Sequence, residues 1–560
     1  MGQAYTGNGA QAETLRANSR MMRAPRGAAL NCRNWPQEAA LRMLMNSLDP
    51  DVAEQPGDLI ACGATGKVLR SWETYDKTAE ALKTLKDDET LLIQSGGPVG
   101  VFQTSRDAAR VIITNTDPPG LQPTADELDR LEQHGLPIPG GTDPGSWTYV
   151  GTQSTLPTAL QVFDGIGQRY FSGDIAGKLV VSGGMGAAGG ALPLATRLLG
   201  AAFLGIDVDG DHIRRRIRTG YCDYCVSTLD EALRILKNAV RQKQAVSVGL
   251  VGNCADVIPE LASRGVLPDI LTDQTSAHDL LIGYVPSGLN ADQAGALRRD
   301  NPEQYLSRCR ESVSRHFNGM LALQKLGSVV FEFGNNLCAA AERCGVEGAA
   351  SAFPNSVGAY LQPLLDDGAA PVRWVALSGE QRDIHRLDEL VLELFSDDAL
   401  LSQWIPLARK YVRSQGLPAR VCWMNETARI TIAERVNRTV ADGAFQAPFV
   451  ITFEQAETNL VTSPQITPDA MKDGLDGSVL NALLNACSEA SWASLKCGAG
   501  YNRATVALVA DGTAAAAKAL PRVLRNDYAR RILRLAGSGR EGTCNAVRRP
   551  ELRAPKPRNP

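Results

Sequence analysis

Leu179-Val180-Val181, then Gly183-Gly184-Met185-Gly186-Ala187-Ala188-Gly189-Gly190, then the small-residue segment Ala191–Leu199, decide how this chain reads. The β-branched run suits a buried strand. Pro193 fits only the first turn of a helix. A second apolar run, Ala201–Ile206, ends on Asp207. Gly184, Gly186 and Gly189 have the G-x-G-x-x-G spacing. The first glycine permits a tight turn, the second lets backbone approach a pyrophosphate, and the third lets helix pack on strand. The helix N-terminus then offers unpaired N–H groups to an anion. Asp207 stands where an acid hydrogen-bonds a ribose, which favours NAD over NADP. Strand, bend, helix, strand and acid in this order predict a Rossmann-like dinucleotide site.

Length and composition limit the alternatives. A chain of 560 residues exceeds one compact core and implies two or three domains. With 58 basic and 61 acidic residues, no overall field favours nucleic acid or an anionic membrane. No apolar run reaches the roughly 18 residues of a membrane helix. Twelve cysteines in so long a chain make no disulfide scaffold, and the expected compartment is the cytoplasm. Cys222 and Cys225 form a C-x-x-C without a second pair or histidines at zinc spacing, so no metal site is expected. Five histidines argue against chemistry built on a histidine cluster.

Outward from the bend, the pattern alternates. Thr228–Val240 reads as a helix, with Thr228 and Glu231 at capping-box spacing. Val246–Val251 reads as a strand, Ala255–Ser263 as a helix, and Asp269–Thr272 as a strand leading into Gln274–His278. Such alternation predicts a parallel sheet covered by helices, with ligands beyond the strands' carboxyl ends. On the N-terminal side, Gln37–Met45 and Glu73–Leu85 have helical spacing, while Asp58–Cys62, Thr90–Ile93, Val99–Thr104 and Val111–Thr114 read as strands. On the C-terminal side, Pro371–Leu377, Ala419–Met424 and Pro448–Thr452 read as strands, and Val479–Ala486 and Gly512–Val523 as helices. The expected class is α/β: a flexible segment 1–33, a mixed α/β core over 34–138 and 346–545, a Rossmann-like domain inserted at 139–345, and a solvated tail 546–560.

Several segments resemble urocanate hydratase (urocanase) from about Asn34 to Asp527. They include Glu38–Asn46, Gln94-Ser95-Gly96 with Pro98–Phe102, and Gly145-Ser146-Trp147. Further matches are Asp273–Asp279, Phe333-Gly334-Asn335-Asn336, Arg373–Gly379 and Gln415–Trp423. The resemblance implies a homodimer holding NAD+ tightly. In that family the oxidised nicotinamide is an electrophile toward the substrate's imidazole ring rather than a hydride carrier. It also implies a small imidazole-acrylate substrate and an imidazolone propionate product. By the same resemblance Cys422 is the active-site cysteine, and Arg373 clamps the substrate carboxylate. The implied NAD contacts include Gly184, Gly186, Ala187, Ala188, Gly189, Asp207, Asn253 and Cys254. Gln274, Thr275, Ser276, Ala277, His278 and Tyr284 complete the conserved part of that set.

The departures concentrate near the substrate. Cys62-Gly63-Ala64 replaces the family's Tyr-Gly-Gly, Ser105 a histidine, and Gly141 a glutamine. At the cofactor, Asp207 replaces a glutamate, His212 an arginine and Phe333 a tyrosine. Phe453-Glu454-Gln455 replaces Arg-Asp-His, and Lys496-Cys497-Gly498-Ala499-Gly500 replaces a double histidine with a longer glycine loop. Gly63, Ala64, His212, Phe333 and Gly498 thus remain cofactor candidates, and Cys62, Ser105 and Gly141 line the expected substrate pocket. Smaller, softer side chains there favour a ring-modified substrate, such as thiourocanate or S-methyl thiourocanate, over urocanate itself. An NAD-dependent dehydrogenase and an inactive NAD-binding homologue are the competing readings.

Overall fold

A computed structural model describes residues 20–63, 66–117, 142–334, 337–454, 474–498 and 503–537. Ala64, Gly141, Asn335, Asn336, Gln455, Ala499 and Gly500 lie outside the described residues. Five strands precede the glycine bend: β1 (Ile60–Cys62), β2 (Gly66–Lys67), β3 (Glu89–Gln94), β4 (Gly97–Gln103) and β5 (Val111–Asp117). Six form the next unit: β6 (Leu179–Gly183), β7 (Ala202–Asp207), β8 (Tyr224–Val226), β9 (Ser247–Val251), β10 (Ile270–Asp273) and β11 (Val329–Val330). Five follow: β12 (Ala370–Ala376), β13 (Ala419–Met424), β14 (Phe449–Glu454), β15 (Trp492–Gly498) and β16 (Arg503–Ala510).

The middle strands make a six-stranded, wholly parallel sheet in the order β11-β10-β6-β7-β9-β8. Apart from the short outer β8, this is the Rossmann order, with its switch point between β6 and β10. The remaining long strands form an eight-stranded mixed sheet, β13-β12-β14-β16-β15-β5-β3-β4. Its join is the parallel pairing of β15 with β5, from Trp492 opposite Val111 to Gly498 opposite Asp117. Chain before the Rossmann unit therefore pairs with chain after it, and the Rossmann-like domain is an insertion in the core.

The two faces of the mixed sheet follow from strand alternation. One carries Leu91, Val111, Trp492, Ala507, Val450, Val375 and Val421 and shares a core with Leu41 and Leu44 of the helix Trp35–Asn46. The other carries Val372, Trp374, Cys422, Ile451, Val506 and Leu508, with Leu387, Ile405 and Ile432 from the helices Gln381–Leu394, Ala399–Tyr411 and Glu426–Ala441. No helix is expected from the sequence for these three segments or for the long Pro302–Lys325, although Ile384, Leu387, Leu390 and Val391 of the first are buried at the spacing of one helical face. The strand expected over Asp58–Cys62 is shorter, since Pro56–Asp58 turns as a 3-10 helix first. The Thr228 cap forms by half: its Oγ1 accepts from the Glu231 N–H at 3.3 Å. Cys222 is buried and Cys225 exposed. Among the described residues, no helix is long and apolar enough to cross a membrane.

Candidate active site at the domain junction

The glycine bend leaves β6 through Gly184, whose φ of +76° lies in the left-handed region. Its N–H donates to the Ile206 carbonyl at 2.7 Å. A Cβ on Gly189 would fall on the Gly184 carbonyl, so the third glycine is required for the bend to close. A Cβ on Gly186 would meet only the His212 ring, at 3.9 Å. The backbone is therefore open at the one glycine where a pyrophosphate needs to approach. The 3-10 turn Gly189–Ala191 and the helix Leu192–Leu198 follow, with Pro193 in the first turn.

The Met185 peptide is gripped on both sides. Its N–H donates to Asp207 Oδ2 at 2.6 Å, and its carbonyl accepts from Arg216 Nε at 3.0 Å. Arg216 is fully buried and also donates to Thr152 Oγ1 (2.6 Å) and Glu54 Oε1 (2.8 Å). Asp207 Oδ1 accepts from the Asp209 N–H at 2.9 Å, and His212 Nδ1 lies 3.2 Å from Oδ2. Burial works against the charge on Asp207, but the His212 hydrogen bond and charge prevail and hold its pKa below the usual carboxylate value. Burial likewise opposes charge on His212, yet Asp207, joined by Asp209 and Glu54, raises it to about 9. Asp207 therefore shapes the bend itself. Arg216, Thr152 and Glu54 come from three separate stretches, and no motif in the sequence marks them.

The other candidates from the Rossmann unit gather along the same carboxyl edge. Asn253 caps the helix Cys254–Ser263 through Oδ1, accepting from the Ala255 N–H at 2.9 Å, and its Nδ2 donates to the Val285 carbonyl at 2.9 Å. The Gln274 N–H donates to the Gly183 carbonyl at 2.8 Å, which sets the loop after β10 against the bend. Thr275 donates to Asp273 Oδ2 through its N–H (3.1 Å) and Oγ1 (2.6 Å). Ala277 is buried, and a Cβ on Gly283 would crowd the Ser276 carbonyl, so the loop folds tightly on itself. Cys254 and Tyr284 are buried behind it, and burial raises both pKa values well above normal. His278 stands at the exposed rim; desolvation first, then the charges of Lys496 and Arg343, hold its imidazole below the usual range. Phe333 packs with Phe163 and Phe331, at 6.4 and 5.7 Å between ring centroids.

The influence of Lys496 on His278 shows which part of the core faces this edge. Lys496 lies opposite Arg503 on β15 and β16, in the face that also carries Ser494, Thr505, Thr452 and Arg373. Arg503 pairs with Asp143, and Lys496 acts on the same carboxyl group. Asp143 opens the 3-10 turn Pro144–Thr148, where the Gly145-Ser146-Trp147 match sits. Ala187, from the glycine bend, joins the buried apolar cluster that contains Val375 and Val421. These two flank Arg373 on its own strand and across the β12–β13 pair. The bend and the Arg373 face thus meet at the domain junction.

Not every candidate converges there. In the antiparallel β12–β13 pair, Arg373 lies opposite Val421 and Cys422 opposite Val372. Arg373 and Cys422 therefore point to opposite faces, and Cys422 is wholly buried among helices. Burial pushes its thiol up to about 12, so it stays protonated. Ser105 is exposed after β4, the edge strand of the mixed sheet, where its carbonyl accepts from Arg110 Nη2. Cys62 and Gly63 lie on the β1–β2 hairpin, which Lys67 ties to Thr142 and Asp143. The Cys62 sulfur acts on the buried Tyr149 hydroxyl, as do Glu54 and Arg216. Gly498 ends β15 opposite Asp117.

Comparison with known proteins adds independent support. One solved structure, L-tryptophan dehydrogenase from Nostoc punctiforme, is 16% identical over 45% of this chain and 59% of that one, with a TM-score of 0.16. At that score it carries no argument. Three family models match in succession: the urocanase N-terminal domain at residues 22–148, the urocanase Rossmann-like domain at 151–360, and the urocanase C-terminal domain at 363–549. The three run in order through both parts of the split core and the insert between them, and the chain belongs to the urocanase family.

Proposed function

We propose that this protein is a urocanate hydratase-like lyase that adds water to an imidazole-acrylate substrate at the junction of its two domains. The observations that carry the reading are that Ala187 of the glycine bend belongs to the same buried cluster as Val375 and Val421, which flank Arg373, and that Lys496 of that face acts on His278. The bend, its helix start and the loop after β10 fit NAD+. Gly184, Gly186 and Gly189 would receive the pyrophosphate, Asp207 with His212 the adenosine ribose, and Gln274–His278 the nicotinamide half. Bound NAD+ would supply an electrophilic ring against the substrate.

The chain's own residues orient and neutralise. Arg373 offers a planar fork to the acrylate carboxylate. Lys496 and Arg503 outnumber the Asp143 carboxylate that they share, so this face keeps a net positive potential that favours an anionic substrate. His278, whose imidazole is held below its usual range by its setting, is placed to accept a proton at this edge. Cys422 works from behind β12, as packing that fixes the strand carrying Arg373. Cys62 gives the pocket wall a small polarisable surface, which suits a sulfur-bearing ring substituent. Thiourocanate or S-methyl thiourocanate is then preferred to urocanate. A homodimer in the cytoplasm is the expected form.

Loss of the conjugated chromophore, followed separately with urocanate, thiourocanate and S-methyl thiourocanate, tests the assignment. Faster turnover of a substituted ring is expected. Turnover of urocanate far above both analogues would overturn the specificity. The absorbance of reduced nicotinamide appearing with turnover would instead make the protein a dehydrogenase.

A further inference from the structure

We propose that Cys254, Asp273 and His316 form a buried site for a divalent transition-metal ion of the zinc class, set behind the glycine bend. Their donor atoms all lie within 4.8 Å of one another, and all three residues are buried. Each comes from a different element: the first residue of the helix Cys254–Ser263, the end of β10, and the middle of the helix Pro302–Lys325. No sequence spacing could reveal the set.

Two unsatisfied atoms point to a missing occupant. Asp273 Oδ2 accepts from the Thr275 N–H and Oγ1, while Oδ1 has no hydrogen-bond partner. His316 Nδ1 lies 3.4 Å from Tyr284 Oη, while Nε2 has no partner. These two orphans face each other at 3.8 Å. That gap is too long for a hydrogen bond. It matches the span between two ligands that each sit about 2.0–2.2 Å from one ion. Leaving both groups unpaired in a buried place is unfavourable, and a shared ion would relieve both.

The surroundings fit an ion. A Cβ on Gly183 would fall on Asp273 Oδ1 and come within 2.7 Å of Cys254 Sγ, so the glycine makes room for both donors. Thiolate and carboxylate together balance a divalent charge, which leaves the site neutral in a dry interior. The Tyr284 hydroxyl at His316 Nδ1 fixes the ring's orientation. Binding the ion displaces the Cys254 thiol proton to solvent, with no change of oxidation state. The ion would tie the glycine bend to two helices, and its role is structural.

Full-length protein freed of metal by chelator dialysis is titrated with Zn2+ alone and, separately, with Co2+ alone. Stoichiometric uptake, a rise in Tm, and an intense near-ultraviolet thiolate-to-cobalt band are expected. Cys254→Ala should lose that band while keeping the circular dichroism of the parent. Should that variant not fold, the parent's cobalt spectrum decides. Uptake of neither ion, a band that survives Cys254→Ala, or a band lost instead in Cys222→Ala/Cys225→Ala would overturn the site.

Discussion

Asp207 accepts the Met185 N–H at 2.6 Å and so holds the centre of the glycine bend, across two strands of the Rossmann sheet. The same carboxylate lies beside His212, whose pKa it raises to about 9. Loop shape and, on the proposed function, cofactor recognition would share one charged group. Stability gained from a raised histidine pKa is fully present below the unfolded value near 6.5 and is lost as pH rises through about 9. We expect the Tm to fall between those limits, and His212→Gln to flatten this part of the profile. Melting curves across that range check it; an unchanged slope in the variant would place the effect elsewhere.

The second and third glycines of the motif should separate stability from binding. Gly186→Ala meets only open space, so the variant should fold with its Tm within a few degrees of the parent yet purify without NAD+. Gly189→Ala drives a methyl group onto the Gly184 carbonyl and should lower stability by about 1–3 kcal/mol. Thermal melts and native mass spectra of both variants read the two effects. NAD+ retained by Gly186→Ala would remove the bend as the pyrophosphate site.

Arg216 and Glu54 join the insert to the core through a buried ion pair at 2.8 Å. Arg216→Met leaves the buried Glu54 carboxylate with Arg215 alone, at 3.7 Å, strands two acceptors, and should cost toward the lower end of about 3–5 kcal/mol. Glu54→Gln should cost less, because Arg216 keeps Met185 and Thr152. Urea unfolding of the two single variants and the double variant measures the coupling. Additive losses would mean that the pair does not act as a unit.

Arg373 and Cys422 should fail in different ways. Arg373→Gln is expected to raise KM at least tenfold, with little change in stability. Cys422→Ala is expected to lose about 1–2 kcal/mol of stability through lost packing. In the folded protein, alkylation should reach the exposed Cys225 and Cys487 and spare Cys422, whose thiol is buried and protonated. Tryptic mass mapping after brief alkylation decides this. Rapid labelling of Cys422 at neutral pH would show that the core opens there.

The Rossmann unit was legible because its signals are local. Strand, glycine bend and acid occupy one continuous stretch, and each residue is constrained by its immediate backbone. The split core was legible only through resemblance, since no periodicity says that β15 pairs with β5. Ser105 and Cys422 illustrate what a linear match leaves out. Ser105 follows an outer edge strand, and Cys422 differs from Arg373 in facing because pleated strands turn neighbouring registers to opposite sides.

The parallel sheet and the place of the glycine bend could be read along the chain, because short-range sterics and hydrophobic alternation act within each segment, while the family was legible through the resemblance of its quoted segments. Only the tertiary structure decided which side chains share a space. Arg216 with Glu54, Lys496 beside His278, and Cys254 with Asp273 and His316 are all brought together by packing between elements far apart in the chain. Burial then sets their charge states, and no local pattern of residues encodes it.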